Sequence, residues 1–486
     1  MTIALIIVII YMFSLLFVSW WSTKRQKEGG SNSFLFADQM LNKWLIAVMI
    51  AGLAVGGAST IGVAQKAYTG GMSAGWYDAA WAAGALFSGI FLAQKIRNST
   101  FKTVNEMWGR VFGEGFRTLS VIIQFCILLV IVALQIVAGG AVLTALLPQY
   151  FTMPIALIVS AAMFLLIAVV GGLWAASLSN IINMIVIYVG IILGVIAAIK
   201  GFGGLASINA ALPAGISGDG SHWYNLFSGM GYAVVLAWFV TMILQASPNA
   251  TIIQTTIAAK NPKEARSGVI LAAIMMIPAG FISAMFGIIA AAKFPGLANS
   301  ALALPSVVTA AIPPVIAGFL LSGLWAADVS TATGLMVSLG TMGTKDIVVK
   351  YFAKNMSDKK QLVLSRWLIV LCAIAAYILA TKVTSVLSAL MAALTMFAPY
   401  AILMTAMFVF PKTVKKSSAW MTFIVGGIFF ILSQFFVKSL AIAHQPIYTV
   451  FIVSIVTFIL CAVFDKKPAP VNNLYKKDEE LAEKAS

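Results

Sequence analysis

Residues 51–68 read AGLAVGGASTIGVAQKAY, an apolar stretch that contains Gly52, Gly56 and Gly57. A stretch of this composition is typical of a helix that crosses a membrane. Glycine is the residue that least favours a continuous helix after proline, and three glycines within six residues weaken it at one point. The sequence therefore predicts a membrane helix that is interrupted between residues 52 and 57.

The composition of the whole chain agrees with a membrane protein. The 486 residues are 61% hydrophobic and only 9% charged, and the mean hydropathy is +1.00. Soluble domains carry about a quarter charged residues. Backbone groups in lipid must bond within their own segment, and stretches such as 181–199 do not alternate between apolar and polar residues. Both facts favour an all-α protein.

Thirteen apolar spans follow one another along the chain. Their predicted limits are 2–21, 45–68, 75–95, 117–146, 153–172, 178–199, 223–258, 267–292, 312–342, 364–384, 388–410, 418–437 and 446–464. We divide the chain into four parts. Residues 1–44 form the first helix and its loop, and residues 45–410 form a core whose two halves are 45–199 and 223–410. Residues 411–464 form two peripheral helices, and residues 465–486 form a polar tail.

The seventh span carries a second interruption. Pro248 stands between Ser247 and Asn249, and proline inside a helix removes a backbone hydrogen bond. The second and the seventh spans are thus both interrupted. Each is the first of a group of five, spans two to six and spans seven to eleven. Interrupted helices at corresponding positions of two halves are typical of transporters built from inverted repeats.

The net charge of +16 is distributed as expected for a membrane protein. With the N-terminus outside, 26 of the 31 Lys and Arg residues fall in cytoplasmic segments, as the positive-inside bias requires. The basic residues form short clusters between apolar spans, so we predict no nucleic-acid partner. The polar tail 465–486 is expected to be a solvated helix or disordered.

Catalytic and zinc-binding patterns are missing from the sequence. Cys126, Cys372 and Cys461 lie singly in apolar runs, and His222 and His444 have no acidic cluster near them. No HExxH motif and no phosphate-binding loop occur. These observations argue against an enzyme and leave no candidate catalytic residue.

The hydroxyls of Ser330 and Thr331 are adjacent in a long apolar stretch. Hydroxyl and carbonyl oxygens are the ligands that a hard cation such as sodium takes in a membrane, and a broken helix frees carbonyls. The break near Gly52 and Val55 could supply them. The alternative is that both hydroxyls bond back to carbonyls of their own helix.

Five stretches together resemble the sodium:solute symporter family, whose members move proline, pantothenate, sugars, sialic acid, iodide or carboxylates. They are 51–68, 99–113, 171–190, 252–266 and 326–347, in the order of the family. The resemblance implies a leucine-transporter-like core of five plus five helices, with the first and sixth interrupted. It also implies a sodium site formed by Gly52, Val55, Ala327, Ser330 and Thr331.

The sequence departs from this family at a second sodium site that some members have. Asn180 stands where those members have an aspartate, and the hydroxyl partners on the eighth core helix are reduced to Thr333, with Gly334 beyond it. We therefore predict that one sodium ion is bound in each transport cycle.

The ionisable residues in the predicted spans that we consider as functional candidates are Lys66, Asp78 and Asp328. Charge at such depth is costly and is usually functional. Asp328 could tune the ion site, bind an amino group or carry a proton, or it could be paired for structure alone. Lys66 could contact an anionic solute, pair with Asp78, or extend to the membrane surface.

The solute is expected near the midplane of the membrane, between the interrupted helices. Ser59 and Asn249 occupy positions where sugar-transporting relatives contact solute, and Ser59 replaces a longer amide there, which disfavours a sugar. Gln135 and Gln245 are further buried amides that need partners. The aromatic residues Tyr68, Trp76, Tyr77 and Trp81 are predicted to lie together at the outer mouth, as interface aromatics or as a gate.

The sequence thus predicts a multi-pass protein of the cell membrane, with the C-terminus in the cytoplasm, that imports a small organic solute with sodium. By family frequency the solute is an amino acid or a carboxylate. Alternatives are a proton-coupled symporter that uses Asp328, a membrane sensor and, less favoured, a channel. The expected partners are the solute and the lipid bilayer, and no obligate protein partner is indicated.

Overall fold

The computed structural model describes residues 2–25, 30–56, 58–214, 223–297, 300–382, 393–442 and 445–476. In these ranges the chain is helical almost throughout. The β-type pairing among them consists of two isolated bridges, Leu41 with Ala259 and Lys415 with Pro468. The predicted all-α fold is confirmed.

The helices of the N-terminal part extend to residue 211. In order, α1 to α10 are Thr2–Ser22, Ser31–Phe36, Lys43–Ala54, Val63–Gly70, Trp76–Phe87, Ala93–Asn98, Val104–Phe112, Glu114–Leu146, Met153–Gly201 and Gly204–Ala211. One turn of π-helix, Ser88–Leu92, joins α5 to α6, and another, Ala58–Gly62, precedes α4.

The helices of the C-terminal part begin at residue 232. In order, α11 to α19 are Tyr232–Ala246, Ala250–Ile257, Pro262–Lys293, Ala303–Ala311, Pro314–Thr341, Asp358–Ala380, Ala398–Val409, Lys416–Ile431 and Pro446–Phe464. The π-helix Met342–Phe352 continues α15.

Nine helices of the described residues are long and apolar enough to cross a membrane, and ten if the bent pair α11 and α12 is one span. The thirteen-span division stays a prediction, and residues 388–392 of its eleventh span lie outside the described ranges. The predicted spans 153–172 and 178–199 correspond to the two parts of α9, which are separated by the non-helical residue Gly172.

The centre of the molecule is α15. Every residue from Leu320 to Thr341 is buried, and α15 packs along α9, α8 and α1. Helix α13 packs in turn against α3, α4 and α5. The peripheral helices α1 and α16 instead expose large apolar side chains, for example Phe13 at 67% and Trp367 at 63%. Such surfaces are stable only when lipid covers them.

The segment after α19 does not behave as a solvated tail. Val471–Tyr475 forms a short 3₁₀-helix in which Val471 and Leu474 are buried. The Thr100 backbone N–H donates to the Leu474 carbonyl at 3.0 Å, and the Asn473 amide donates to the Arg110 carbonyl at 3.2 Å. The expectation of solvation or disorder is therefore wrong for this segment, while residues 477–486 lie outside the described ranges.

The bend of α9 provides a test of the fold. Gly172 has φ 57° and ψ −138°, and a Cβ atom there would lie 2.3 Å from the Phe34 carbonyl oxygen on α2. We expect Gly172→Ala to lower the free energy of unfolding by at least about 1–3 kcal/mol, the usual cost of such a backbone conformation, because the contact with Phe34 adds to the strain. The unfolding temperature in detergent measures the change.

Gly113→Ala is the matched control. Gly113 also has a positive φ, 92°, but a Cβ atom there meets nothing within 4 Å. Replacing Gly113 with alanine introduces backbone strain but no close contact. Gly172→Ala introduces both, so it should be the more destabilising of the two substitutions. Equal losses would show that the close packing of α2 on the bend of α9 contributes nothing.

Candidate functional site

Helix α3 ends at the interruption that the glycines predict. Its last residue is Ala54, and Val55 leaves the helical conformation with φ −80° and ψ 76°. In a continuous helix the Gly56 N–H would donate to the Gly52 carbonyl, but it donates to the Ala54 carbonyl instead, at 2.9 Å. The carbonyl of Gly52 is thereby free for other partners.

Two hydroxyls of α15 meet this broken end. The Ser330 hydroxyl lies 2.6 Å from the Gly52 carbonyl oxygen and 2.8 Å from that of Ala327. The Thr331 hydroxyl lies 3.0 Å from the Gly52 oxygen and 3.2 Å from that of Ala327. Four of the five predicted sodium ligands, Gly52, Ala327, Ser330 and Thr331, therefore lie together. The two hydroxyls form hydrogen bonds both across to α3 and back along α15.

The fifth predicted ligand is Val55. Among the described hydrogen bonds, neither hydroxyl contacts Val55; Thr331 contacts the Leu53 carbonyl oxygen instead, at 3.2 Å. The side chain of Leu53 gives no signal of this contact in the sequence, because it is apolar and the contact is made by the backbone carbonyl. The only signal was its position, one residue after Gly52 in the last turn of α3.

This oxygen cluster, formed by Ser330, Thr331 and the carbonyls of Gly52, Leu53 and Ala327, has the chemistry of an alkali-cation site. All five oxygens are neutral and hard, which suits sodium. The C-terminal end of α3 also directs the negative end of its dipole at the cluster. Among the described residues, no group of three or more His, Cys, Asp or Glu side chains could hold a metal ion.

The second interruption lies opposite the first. Helices α11 and α12 meet at an angle of 48° across Ser247 and Pro248. Asn249 caps α12: its side-chain oxygen accepts hydrogen bonds from the backbone N–H of Thr251 at 3.0 Å and of Ile252 at 3.3 Å. This cap holds the N-terminus of α12 in the protein interior.

A cavity lies between the two interrupted helices. It is lined by Leu53, Ala54, Gly56, Tyr77, Trp81, Ile131, Gln135, Gln245, Asn249, Thr331, Leu335 and Leu394. Three of the four predicted solute contacts, Gln135, Gln245 and Asn249, thus lie in one place. Ser59 does not line the cavity, because its hydroxyl is buried and donates to the Gly56 carbonyl at 2.8 Å.

Two polar atoms in the cavity lack partners. The side-chain oxygen of Gln135 and the amide nitrogen of Gln245 are buried and have no hydrogen-bond partner among the described residues. Buried polar groups are normally satisfied, so these atoms are suited to bind a polar molecule. Gln135 also lies close to the oxygen cluster, since a Cβ atom on Gly56 would be 3.5 Å from its oxygen and 3.2 Å from the Thr331 hydroxyl.

The aromatic residues divide into two groups. Tyr77 and Trp81, one helical turn apart on α5, line the cavity. Tyr68 and Trp76 do not: the Tyr68 hydroxyl donates to the Phe294 carbonyl at 2.7 Å, and Trp76 stacks on Phe227 at 5.4 Å between ring centroids. The four aromatic residues thus do not all line one surface, and the position of Tyr77 and Trp81 in the cavity lining fits the alternative that they form a gate.

The position of the second sodium site is occupied by amides. The Asn183 amide donates to the Asn180 side-chain oxygen at 3.0 Å, and the Tyr11 hydroxyl donates to the Asn183 oxygen at 2.7 Å. No carboxylate takes part in these contacts. The chain Tyr11–Asn183–Asn180 is therefore neutral, unlike the aspartate site that some relatives have.

The three candidate ionisable residues lie on three different helices, α4, α5 and α15. Asp328 is buried on α15 beside Ala327. Lys66 is exposed on α4, and among the described ion pairs it forms none with Asp78. Asp78 is fully buried, and within the described ranges neither of its carboxylate oxygens has a hydrogen-bond partner. The pairing of Lys66 with Asp78 is thus excluded, and exposure of Lys66 fits the alternative that it extends to the surface.

The fold and the site together define a multi-pass helical membrane protein with a cluster of neutral oxygens at a broken helix. The chain belongs to the sodium:solute symporter family, whose model matches residues 34–467. The predicted family and its leucine-transporter-like fold are confirmed.

Individual relatives are distant. The uncharacterized symporter YidK of Escherichia coli strain K12 is 22% identical over 371 residues, which are 71% of this chain and 62% of that protein. This chain thus spans less than two thirds of that relative's length. The osmoregulated proline transporter OpuE of Bacillus subtilis strain 168 is 22% identical over 392 residues, 77% of each chain.

A solved structure shows the same fold. A Na⁺-coupled sialic acid symporter, in a substrate-bound outward-open state, superimposes with a TM-score of 0.78 at 16% identity. The superposition covers 96% of this chain and 98% of that one. At this identity the likeness concerns the fold alone.

Proposed function

We propose that this protein imports a small organic solute together with sodium, by alternating access. The observation that carries the proposal is the meeting of Ser330 and Thr331 with the freed carbonyls of α3. A cation bound there would draw α3 and α15 together. The solute would bind in the adjacent cavity, and the oxygen cluster would release its ion when the two helices separate.

Thr331 gives a physical basis for the coupling. Its hydroxyl belongs to the oxygen cluster, and its side chain also lines the cavity. A solute that packs against Thr331 therefore favours the arrangement that binds sodium. Coupling between two binding sites is reciprocal, so sodium must raise the affinity for solute by the same factor.

The cavity favours a solute with no net charge or with one carboxylate. Its lining includes no ionised side chain, and its polar groups are amides, a hydroxyl and aromatic residues. The N-terminus of α12, where Asn249 lies, presents the positive end of a helix dipole. The named solutes of two relatives, proline and sialic acid, both carry a carboxylate. We therefore favour an amino acid or a carboxylate.

One sodium ion per cycle is the stoichiometry we propose, on the ground that Asn180 and Asn183 form a neutral network at the second position. We also propose that the N-terminus lies outside and the C-terminus in the cytoplasm, because this orientation places 26 of 31 basic residues inside. The core would comprise 45–410, with no obligate protein partner and no enzymatic activity.

The proposal is tested with the purified protein in proteoliposomes. A panel of radiolabelled amino acids, carboxylates and sugars is supplied at equal pH on both sides, with sodium or choline outside. We expect one class of solute to accumulate against its own gradient only with external sodium, while protein-free liposomes show none. Accumulation that follows a proton gradient and ignores sodium would instead favour the proton-coupled alternative through Asp328.

A further inference from the structure

Asp78 is a buried acid that the sodium mechanism does not use. It lies in the first turn of α5 and is fully buried. Neither of its carboxylate oxygens has a hydrogen-bond partner among the described residues. Natural proteins rarely leave a buried polar group unsatisfied, and an unsatisfied carboxylate is among the most costly cases.

The close approach of α13 to α5 buries this carboxyl. A Cβ atom on Gly280 would lie 3.2 Å from the Asp78 Oδ2 atom and 2.5 Å from the Gly75 carbonyl oxygen. Glycine therefore permits the two helices to pack at this level. Gly280 is thirteen residues from the end of α13 at Lys293, about 20 Å along a helix, so Asp78 lies deep in the span.

The described groups around Asp78 supply no positive charge that could pair with its carboxylate. Two phenols lie near Asp78 among the described residues, Tyr77 on α5 and Tyr188 on α9, and a phenol cannot supply a positive charge. The Tyr188 hydroxyl is already committed to the Met275 carbonyl on α13. Lys66, the basic residue of α4, is exposed and forms no ion pair with Asp78.

An ionised carboxylate in such a place would carry an uncompensated charge. Charged side chains at the centre of a membrane helix cost about 2.5–3.5 kcal/mol even on the mildest scale. A buried carboxylate without donor or cation lowers its energy by taking up a proton, which removes the charge. The geometry therefore favours the neutral carboxylic acid.

We propose that Asp78 is a proton-binding site, separate from the oxygen cluster, that is occupied when α5 packs on α13 as in this structure. Release requires water to reach this face of α5. The carboxyl O–H bond then breaks, the proton passes to water as hydronium, and both bonding electrons remain on the carboxylate. The proposed occupant is a proton, because a single buried carboxylate without a cationic partner loses its charge most directly by protonation.

The location of Asp78 links it to the solute cavity. Tyr77 and Trp81 of the same helix line the cavity, while Asp78 faces α13. A movement of α5 that reshapes the cavity therefore also changes the packing that keeps water from Asp78. This inference goes beyond the proposed sodium symport, and its test does not depend on that function.

Infrared spectroscopy of the full chain in lipid nanodiscs at neutral pH tests the proposal. The wild-type protein should show the C=O stretching band of a protonated carboxyl, and Asp78→Asn should lose that component. Asp346→Asn is the matched control: Asp346 is equally buried but accepts hydrogen bonds from the Arg117 guanidinium at 2.9 Å and from Thr103 at 2.7 Å, so we expect it to be ionised and its loss to leave the band unchanged.

Asp78→Glu keeps the acid and covers the case in which Asp78→Asn does not fold. It should retain a protonated-carboxyl band but at a shifted position, which assigns the band to residue 78. A wild-type spectrum without such a band, or a band that neither substitution alters, would overturn the proposal. Neither outcome bears on the sodium site, since no solute or sodium gradient is used.

Discussion

Replacing Ser330 with alanine is expected to raise the sodium concentration for half-maximal uptake by about 10-fold to 150-fold. The change removes one of five oxygens from the cluster, at a site where the hydroxyl lies 2.6 Å from the Gly52 carbonyl. A hydrogen-bonding group that faces a charge contributes about 1.5–3 kcal/mol, which corresponds to that range of affinity. Uptake measured over a series of external sodium concentrations gives the value.

Thr331→Ala should have the same effect on sodium and a second effect on solute. Thr331 lines the cavity as well as the oxygen cluster, whereas Ser330 does not line the cavity. At saturating sodium, Ser330→Ala should therefore leave the KM for solute near the wild-type value, and Thr331→Ala should raise it. Thr331→Ser, which keeps the hydroxyl, should restore the sodium dependence.

Ser177→Ala is the control for loss of a buried hydroxyl. Ser177 is fully buried in α9, and its hydroxyl donates back to the Leu173 carbonyl of the same helix at 2.7 Å. Its removal should leave the sodium dependence unchanged. If Ser330→Ala moved the half-saturating sodium concentration no further than Ser177→Ala does, the oxygen cluster would not be the ion site.

Much of this site could be predicted from the sequence because helix breaks leave a local signature. Three glycines near residue 55 and Pro248 mark both interruptions, and adjacent hydroxyls at 330 and 331 mark the facing surface. The choice between Leu53 and Val55 could not be predicted. It depends on one hydrogen bond, from the Gly56 N–H to the Ala54 carbonyl, which sets the directions of the neighbouring carbonyls.

The other differences have a common physical cause, which is packing between distant segments. Whether Tyr77 faces lipid, the mouth or the cavity depends on the rotation of α5 against α11 and α13. The absence of an ion pair between Lys66 and Asp78 follows from the same packing, which buries one and exposes the other. The docking of Leu474 depends on a partner, Thr100, 374 positions earlier in the chain. Periodicity along one segment carries no information on such contacts.

The second large effect is expected at the buried ion pair between Arg117 and Asp346. The Arg117 guanidinium at the start of α8 lies 2.9 Å from the Asp346 carboxylate, beyond the end of α15, with side-chain exposures of 9% and 0%. Thr103 and Asn105 of the segment around α7 also donate to this carboxylate, at 2.7 and 3.2 Å. Three segments are therefore held together at one carboxyl group.

Arg117→Met should lower the free energy of unfolding by about 3–5 kcal/mol, because it leaves the Asp346 charge buried without its counter-ion. Asp346→Leu should have a similar cost, since it leaves Arg117 unpaired. The double variant should lose less than the sum of the two, because no charge is stranded. Unfolding of each purified variant in one detergent gives the coupling free energy.

The contact of Lys350 with Glu114 is a control in the same region of the molecule. Its atoms are also close, 2.8 Å, but the side chains are 33% and 54% exposed. Exposed pairs contribute only about 0–1 kcal/mol, so Lys350→Ala should change stability little. The two pairs have nearly equal distances and differ mainly in burial, and Glu114 also lies 3.8 Å from Arg117, so the comparison is between a buried and an exposed contact of one network. A loss from Arg117→Met as small as that from Lys350→Ala would mean that water reaches Asp346 and that the three segments are held together by other contacts.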